Sequence, residues 1–170
     1  VPDAQIVGPA VEEYRIPLAP EELLERKRCA FRDLVARKLE PFPGVREALA
    51  ELDSLPLGLA TASPRRETEL MLSVMGLRAR FPVTVTGDDV GHPKPHPETY
   101  LRAAGALGIP PERCLALEDS PVGLRSALGA GLTGLAVTNT YAAADLSAAR
   151  RVFDSTAEAV RWIGEHLRRA

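Results

Sequence analysis

The sequence contains very little lysine, asparagine, glutamine or cysteine. Only Lys27, Lys38 and Lys94 are lysine among 21 basic residues, and asparagine and glutamine occur once each. Lysine carries a compact point charge and arginine a planar fork, so this chain should keep lysine mainly where arginine cannot replace it. Two cysteines are too few for a disulfide framework, which excludes the small disulfide-stapled scaffolds.

The sequence also lacks a surplus of either charge and any long apolar run. Its 21 basic and 23 acidic residues give a net charge of −2, without the basic excess that nucleic-acid binding requires. No run approaches the ~18 apolar residues of a membrane span. Residues 1–10 contain two prolines and lack any positive side chain, which is unlike a signal peptide. With 170 residues, 45% of them hydrophobic, we expect a soluble cytoplasmic domain with no nucleic-acid or membrane partner and leave its oligomeric state open.

The chain divides at the breaker cluster 41–44. Before it, residues 1–40 are largely helical by pattern, with a break at 16–20 and a long helix from Glu21. After it, helices alternate with apolar runs of strand length, and this alternation predicts a parallel sheet covered by helices on both faces. The predicted helices are 45–55, 67–75, 97–107, 122–128 and 157–169, and the predicted strands are 57–61, 83–86, 114–117 and 132–137.

Polar residues follow the predicted strands at their carboxyl ends, where parallel sheets bind ligands. Residues 61–63 (Thr-Ala-Ser) lead into a helix, and hydroxyls with backbone N–H groups at a helix start form an anion site. Glu118 and Asp119 follow the third strand, and adjacent carboxylates suit a hard cation such as Mg²⁺. Lys94 lies between these segments in a loop stiffened by prolines. Together they predict a phosphate site with a divalent metal.

Each of these residues also has an ordinary structural role to weigh. Thr61 and Ser63 could cap the next helix, which is the commoner use of Ser and Thr before a helix. Lys94 could be solvated, as lysines in loops usually are. Two adjacent carboxylates repel unless a positive group is near, so Glu118 and Asp119 indicate a site more strongly. The coherence of the whole set favours function.

Five segments resemble those of the haloacid-dehalogenase-like phosphotransferases, most closely the β-phosphoglucomutase-like and phosphoglycolate-phosphatase-like branch with a helical cap. They are PFPGV at 41–45, LATAS at 59–63, VTGDDVGHPKPHPETY at 85–100, LALEDSPVGLRSALGAG at 115–131 and the short strand after it. The pairing of LEDSPVG with an upstream KP is specific. The resemblance implies an α/β fold with a parallel, Rossmann-like core sheet. Residues 1–40 would form a partial helical cap, and residues 41–170 a core that lacks its first, central strand.

The resemblance also implies how a phosphate would be held. Thr61 would hold the phosphoryl group of the substrate, helped by the backbone N–H of Ala62, and Ser63 belongs to the same anion-binding segment. Lys94 would neutralise the developing charge and pair with the acids. The scarcity of lysine independently favours Lys94 as a lysine that is kept for its chemistry.

The metal and the cap residue follow from the same resemblance. Asp119 would ligate Mg²⁺, and Glu118 beside it would act either as a ligand or as a partner of the ligands. Lys27 falls where relatives place a basic residue that faces the substrate, which is a much weaker match. The implied function is a Mg²⁺-dependent phosphatase or phosphomutase for a small phosphorylated metabolite.

One family motif is absent from the sequence, namely a strand ending in DxDx[TV]. Its first Asp attacks phosphorus and its second acts as acid and base. Asp3 has no second acid two residues on, and the acids at 88–89 belong to the loop that leads to Lys94. By the family pattern roughly 45 residues are expected ahead of the first one, including a strand between those that end at Thr61 and Asp119. Without it, these two strands should lack backbone partners on their inner edges.

Three explanations for the missing motif stay open at this point. The chain is a truncated or misstarted form, or its N-terminal part is unrecorded, or it is a non-catalytic relative that binds or regulates. We favour the first two, because Thr61, Lys94, Glu118 and Asp119 are all present. The 170 residues alone are then expected to have no turnover.

Two further patterns and one rival fold are weaker. Residues 129–134 match GxGxxG, but the predicted order is helix, glycines, strand, whereas a dinucleotide fingerprint needs the strand first. His92 and His96 are spaced like a zinc pair, but this spacing joins side chains on a helix, which the intervening prolines exclude. A phosphoacceptor receiver domain uses similar residues, but in a different chain order.

Overall fold

Residues 3–167 are described by a computed structural model in which helices alternate with short parallel strands. No helix among the described residues is both long and apolar enough to cross a bilayer. This arrangement confirms the predicted α/β class. The helices are α1 (Asp3–Glu13), α2 (Pro20–Lys38), α3 (Val45–Ala50), α4 (Arg65–Val74), α5 (Glu98–Leu107), α6 (Pro121–Gly129) and α7 (Thr156–Leu167). The strands are β1 (Gly58–Ala60), β2 (Val83–Val85), β3 (Leu115–Glu118), β4 (Thr133–Val137) and β5 (Arg151–Phe153).

The long helix α2 begins where local chemistry predicts a helix start. Pro20 lies in its first turn with Glu21 and Glu22, where acidic side chains interact favourably with the helix dipole. After the breaker cluster, Gly44 at φ 75° turns the chain into α3. The helix α2 contacts both α1 and α4, so the N-terminal helices lie against the α/β part of the chain.

The strands form two separate parallel sheets. In the first, β1 pairs with β2, and Leu59 lies opposite Thr84. In the second, the order is β3-β4-β5, and Leu117 lies opposite Leu135. Across residues 3–167, no strand pairs with the remaining edge of β1 or of β3. The sheet is therefore interrupted at the point where the family pattern expects a central strand.

Helices cover both faces of the three-stranded sheet. Leu135 and Phe153 belong to the larger apolar cluster, which also contains residues of α3 and α7. On the opposite face, Ala116 packs with Tyr100 of α5 and Ala127 of α6. Burial on both faces explains why β3 and β4 appear as continuous apolar runs in the sequence.

Three element predictions differ from the structure. No strand is predicted at β5, whose three residues begin with an exposed arginine and form no apolar run. The helix predicted at 45–55 ends at Ala50, and turns continue the segment. The helix predicted at 157–169 is observed as α7 up to Leu167, and the last two of its predicted residues lie outside the described part.

Gly87 allows the loops that follow β1 and β2 to touch. Its N–H donates to the carbonyl oxygen of Ser63 at 3.0 Å. A Cβ at this position would lie 2.5 Å from the carbonyl oxygen of Ala62. Because that atom belongs to the backbone, no side-chain rotation can relieve the contact. Glycine is therefore required here by close approach.

We expect Gly87→Ala to lower the free energy of unfolding by about 1–3 kcal/mol, the usual cost of overpacking. The matched control is Gly105→Ala in α5, where a Cβ would meet no atom within 4 Å. That change should raise stability by about 0.5–1 kcal/mol, because glycine is unfavourable inside a helix. Urea denaturation of both variants provides the measurement. Wild-type stability of Gly87→Ala would contradict the close-approach argument.

Candidate active site

The loops after β1 and β3 face each other across the gap between the two sheets. A cleft of about 500 Å³ lies there, at the carboxyl ends of the strands, which is where parallel sheets bind ligands. Five residues predicted for the site line this cleft, although they come from three separate segments of the chain. They are Thr61, Ala62, Lys94, Glu118 and Asp119.

Lys94 is the central cation of this cleft. Its Nζ lies 2.5 Å from Glu118 Oε1, 3.2 Å from the Ala60 carbonyl oxygen and 3.4 Å from the Tyr100 hydroxyl oxygen. An ammonium group has three N–H donors, and these three acceptors match them. The Lys94 and Glu118 side chains are 10% and 9% exposed, so solvent screens the ion pair little. Since Ala60 ends β1 and Glu118 ends β3, Lys94 joins the two sheets.

The carboxylate of Glu118 is surrounded by protein donors. Its Oε1 accepts hydrogen bonds from Lys94 and from the hydroxyl of Tyr100. Its Oε2 lies 3.3 Å from the backbone nitrogen of Asp119 and 3.4 Å from the hydroxyl of Ser120. Burial, and then the Glu118 charge, raise the pKa of the Tyr100 phenol, which therefore stays protonated and donates. Glu118 fits a partner of Lys94 better than a direct ligand of a cation.

Asp119 is the carboxylate of the cleft that best suits a cation. It is half-buried, and its Oδ2 accepts a hydrogen bond from Thr140 Oγ1 at 2.5 Å. Of the side chains described, no basic one forms an ion pair with Asp119, whereas Glu118 is paired with Lys94. Mg²⁺ usually takes one or two protein carboxylates and completes its shell with water and substrate phosphate. Asp119 fits this role, with Thr140 orienting one of its oxygens.

The segment after β1 turns sharply into α4. The Ser63 N–H donates to Thr61 Oγ1 at 3.1 Å. The residue before α4 is Pro64, and Asp88 caps the helix instead, because its carboxylate accepts the Arg65 N–H at 2.8 Å. Thr61 and Ser63 therefore do not serve as the N-cap of α4. This removes the simplest structural explanation for the Thr61 hydroxyl.

The adjacent acids Asp88 and Asp89 have structural partners. Asp89 Oδ2 accepts the N–H and the hydroxyl of Thr86, both at 2.7 Å, and the guanidinium of Arg65 at 2.5 Å. Burial acts to raise the pKa of Asp89, but the hydrogen bonds from Thr86 and Arg65 outweigh it and lower that pKa. Neither acid lines the cleft between β1 and β3. These contacts support the interpretation that 88–89 is not a nucleophile.

A second cavity, of about 680 Å³, adjoins the cleft between α2 and the loops after β1 and β2. Thr61, Ala62 and Lys94 line both spaces, whereas Ser63 and the exposed Lys27 of α2 line only the second one. Positive side chains are well represented on its walls and favour an anionic ligand. They include Arg28, Arg32 and Arg66.

The structure bears on two further sequence patterns. The glycines at 129–134 connect the end of α6 to the start of β4, so the predicted order of helix, glycines and strand is confirmed. His92 and His96, in contrast, lie together, with ring centroids 4.6 Å apart. A tight turn, closed by the His96 N–H that donates to the Pro93 carbonyl, brings the rings together without a helix, and metal binding by the pair stays a matter of prediction.

Three contributors to the site are missed by sequence reasoning. Tyr100 and Gly123 lie inside recognised motifs, but only the folded chain brings them to Glu118. A Cβ on Gly123 would lie 2.0–2.3 Å from the atoms of that carboxylate, so α6 can approach Glu118 only with glycine there. Thr140 follows β4 at the same sheet edge, and examining every strand end could have found it.

Comparisons with known proteins find a matching family model and similar chains. The family model of the haloacid dehalogenase-like hydrolases matches residues 9–131. Fructose-1-phosphate phosphatase YqaB of Escherichia coli is 31% identical over 136 residues, covering 80% of this chain and 72% of that protein. Hexitol phosphatase B of Escherichia coli is 36% identical over 119 residues, covering 69% and 54% respectively. The chain thus spans between about half and three quarters of these curated relatives.

Solved structures are similar over most of the chain. CbbY from Rhodobacter sphaeroides, crystallised with xylulose-(1,5)-bisphosphate, superposes with a TM-score of 0.74 at 34% identity, covering 84% of this chain and 66% of that one. β-Phosphoglucomutase from Clostridium difficile gives a TM-score of 0.75, covering 100% and 80%. Its identity is 18%, so this likeness shows the fold alone.

We expect Tyr100→Phe to lower the free energy of unfolding by about 1.5–3 kcal/mol, because a buried carboxylate loses a hydroxyl donor. The matched control is Tyr141→Phe, since Tyr141 is 44% exposed and the same atom change there should cost less than about 0.5 kcal/mol. Denaturant unfolding of both variants measures the difference. Equal stability of the two variants would show that the Tyr100 hydroxyl does not support Glu118.

Proposed function

The chain belongs to the haloacid dehalogenase-like hydrolases. We propose that it is part of a Mg²⁺-dependent phosphatase or phosphomutase whose substrate is a small phosphorylated sugar or a similar metabolite. The relatives support this substrate class, since two carry the names fructose-1-phosphate phosphatase and hexitol phosphatase. The CbbY structure holds a sugar bisphosphate. Their names do not distinguish transfer to water from transfer to a sugar hydroxyl.

The observation that carries the proposal is the surroundings of Lys94. A nearly buried ammonium, paired with Glu118 at 2.5 Å, shares one cleft with Thr61 and Asp119. A phosphoryl group needs cationic and N–H or O–H partners for its oxygens, and transfer is catalysed mainly by positioning and charge stabilisation. A cleft with a fixed cation, a hydroxyl and a metal-binding carboxylate meets these needs.

We assign one role to each residue of the cleft. The Thr61 hydroxyl and the Ala62 N–H hold phosphoryl oxygens, with Ser63 extending this segment towards the second cavity. Lys94 balances the charge that grows on the phosphoryl oxygens, and Glu118 holds its ammonium in place. Asp119 would hold Mg²⁺, which when bound would offset part of the phosphate charge.

We propose that the nucleophile comes from a strand that fills the gap between β1 and β3. Both strands have an edge without a strand partner there among residues 3–167, and buried backbone groups need partners. An Asp at the end of such a strand would stand among Thr61, Lys94 and Asp119. Its carboxylate would bond to phosphorus while the ester oxygen leaves with a proton from the second acid. Water or a sugar hydroxyl would then take the phosphoryl group.

The cap and core assignments belong to the same proposal. Residues 1–40, which contain α1 and α2, would be part of a helical cap over the cleft, and residues 41–170 the core. Lys27 on α2 lines the second cavity and would face the part of the substrate that does not react. In this arrangement the cap selects the substrate and the core supplies the chemistry.

Phosphate binding tests the roles of Thr61 and Asp119. We expect Thr61→Val to weaken inorganic phosphate binding about tenfold or more, since a hydrogen bond to a charged group is worth roughly 1.5–3 kcal/mol. Asp119→Asn should abolish the enhancement of that binding by Mg²⁺. Calorimetric titration with and without Mg²⁺ measures both effects.

The matched control for this titration is Glu112→Gln, which neutralises an exposed acid at the opposite end of β3. It should bind phosphate like the wild type and keep the Mg²⁺ effect. If Asp119→Asn and Glu112→Gln behave alike, Asp119 is not the metal ligand. If Thr61→Val binds like the wild type, the phosphate lies elsewhere.

Turnover tests the missing nucleophile. Residues 1–170 should bind phosphate but hydrolyse no phosphate ester, because the sequence contains no DxD motif to attack phosphorus. A release assay with several sugar phosphates measures this. Hydrolysis at a rate abolished by Asp119→Asn would disprove it. The alternative function is that of a non-catalytic binding or regulatory module. Such a module would stay inactive even when a strand that carries the two acids of the DxD motif fills the gap.

A further inference from the structure

His92, His96 and Glu98 form a cluster of metal-ligating side chains outside the cleft. Each offers one ligand atom, and these atoms all lie within 4.8 Å of one another. The two imidazole rings are 4.6 Å apart between centroids. His92 Nδ1 lies 3.1 Å from Glu98 Oε2. Both histidines are exposed and Glu98 is partly buried, so a dissolved ion can reach the cluster.

The backbone of the loop holds this cluster in place. Glu98 Oε1 accepts the N–H of Gly91 at 3.1 Å, and Glu98 Oε2 accepts the N–H of His92 at 3.0 Å. The carbonyl oxygen of His96 accepts the Ser126 hydroxyl at 2.6 Å, which ties the turn to α6. The three side chains therefore start from anchored backbone positions, and little backbone freedom is lost when they bind an ion.

The chemistry of the three groups selects the kind of ion. Imidazole nitrogens favour Zn²⁺, Ni²⁺ and Cu²⁺, whereas Mg²⁺ prefers oxygen ligands and water. The Glu98 carboxylate supplies a negative charge, part of which Arg102 already offsets, because its Nε lies 2.9 Å from Glu98 Oε1.

We propose that His92, His96 and Glu98 bind one divalent transition-metal ion of the Zn²⁺ type, with water in the fourth position. In a tetrahedral zinc site with bonds of about 2.0–2.1 Å, neighbouring ligand atoms lie about 3.3 Å apart. The His92–Glu98 separation of 3.1 Å already matches this edge. All separations lie within 4.8 Å, and rotation of the exposed histidine rings would shorten the longer ones.

This site is independent of the proposed phosphate chemistry, but it lies on the same loop. Lys94 falls between His92 and His96 in the sequence, and its own side chain contacts Glu118 in the cleft. An ion held by both histidines links the residues on either side of Lys94. Because the ion binds the folded loop preferentially, it should also stabilise the protein, by an amount that rises with the logarithm of the ion concentration once that concentration exceeds the Kd.

The test is a Zn²⁺ titration of the protein at mildly alkaline pH, followed by calorimetry and by the imidazole resonances in NMR. The chain has three histidines, His92, His96 and His166. We expect one ion per chain, with shifts of the His92 and His96 signals and none of the His166 signal. A large excess of Mg²⁺ should leave all three signals unchanged.

Single-residue variants distinguish Zn²⁺ binding at this cluster from nonspecific binding to surface histidines. His92→Ala and His96→Ala should each weaken Zn²⁺ binding at least about tenfold, since even outer partners of metal ligands contribute 10–100-fold. His166→Ala, which removes the third histidine, should bind Zn²⁺ like the wild type. Asp119→Asn should also bind it normally, so failure of this site and failure of the phosphate site are distinguishable.

Two results would overturn the proposal. One is Zn²⁺ binding that His166→Ala weakens as much as His92→Ala does, because the ion would then bind exposed histidines without preference. The other is the absence of saturable binding in the wild type. Far-ultraviolet circular dichroism of each variant checks that it is folded, and Co²⁺ absorption bands typical of tetrahedral coordination provide a second readout of the same site.

Discussion

The contact between Lys94 and Glu118 is the interaction on which the rest of the structure depends. Within residues 3–167, no strand pairing connects the sheet β1-β2 with the sheet β3-β4-β5. Lys94 contacts Ala60 at the end of one sheet and Glu118 at the end of the other. Removing one partner of a buried ion pair typically costs about 3–5 kcal/mol, because the other charge is left uncompensated. The two sheets are therefore held together at the cleft by this pair, by the packing of α5 on α6 and by the larger apolar cluster, against which both Leu59 and Leu117 pack.

The same geometry explains why lysine is present in a chain that otherwise uses arginine. The Nζ of Lys94 faces three acceptors, from Ala60, Tyr100 and Glu118, and an ammonium supplies three rotatable donors at one point. A planar guanidinium is larger and presents its donors in a fixed fork, so it matches these three converging acceptors less well. A phosphoryl oxygen that binds Lys94 would replace one of its two longer contacts. The bond to Glu118 can then persist while phosphate binds.

Much of this architecture could be predicted from the residues, and the exceptions have physical causes. Strand ends and helix starts are local features, so Thr61, Lys94, Glu118 and Asp119 could be placed near one sheet edge before any coordinates were known. Tyr100 could not, because its contact with Glu118 joins residues from α5 and β3 that are distant in sequence. The strand β5 could not be predicted from the sequence, because pairing with β4, and not its own composition, makes it a strand. The proximity of His92 and His96 could not be predicted either, because the argument from their spacing considers only helices, whereas a tight turn brings the rings together.

The location of the site at the interruption of the sheet creates a conflict between stability and chemistry. An apolar pair in place of Lys94 and Glu118 would avoid the desolvation of two charges, and such replacements are often neutral or stabilising. It would also remove the only nearly buried cation of the described cleft, together with the carboxylate that orients it. Gly123 belongs to the same conflict, because glycine is unfavourable inside a helix and yet only glycine leaves room for the Glu118 carboxylate beside α6. Lys94, Glu118 and Gly123 are thus costly for folding, and in the proposed function they hold a cation where a phosphoryl group would bind, which is the pattern expected when stability is traded for activity.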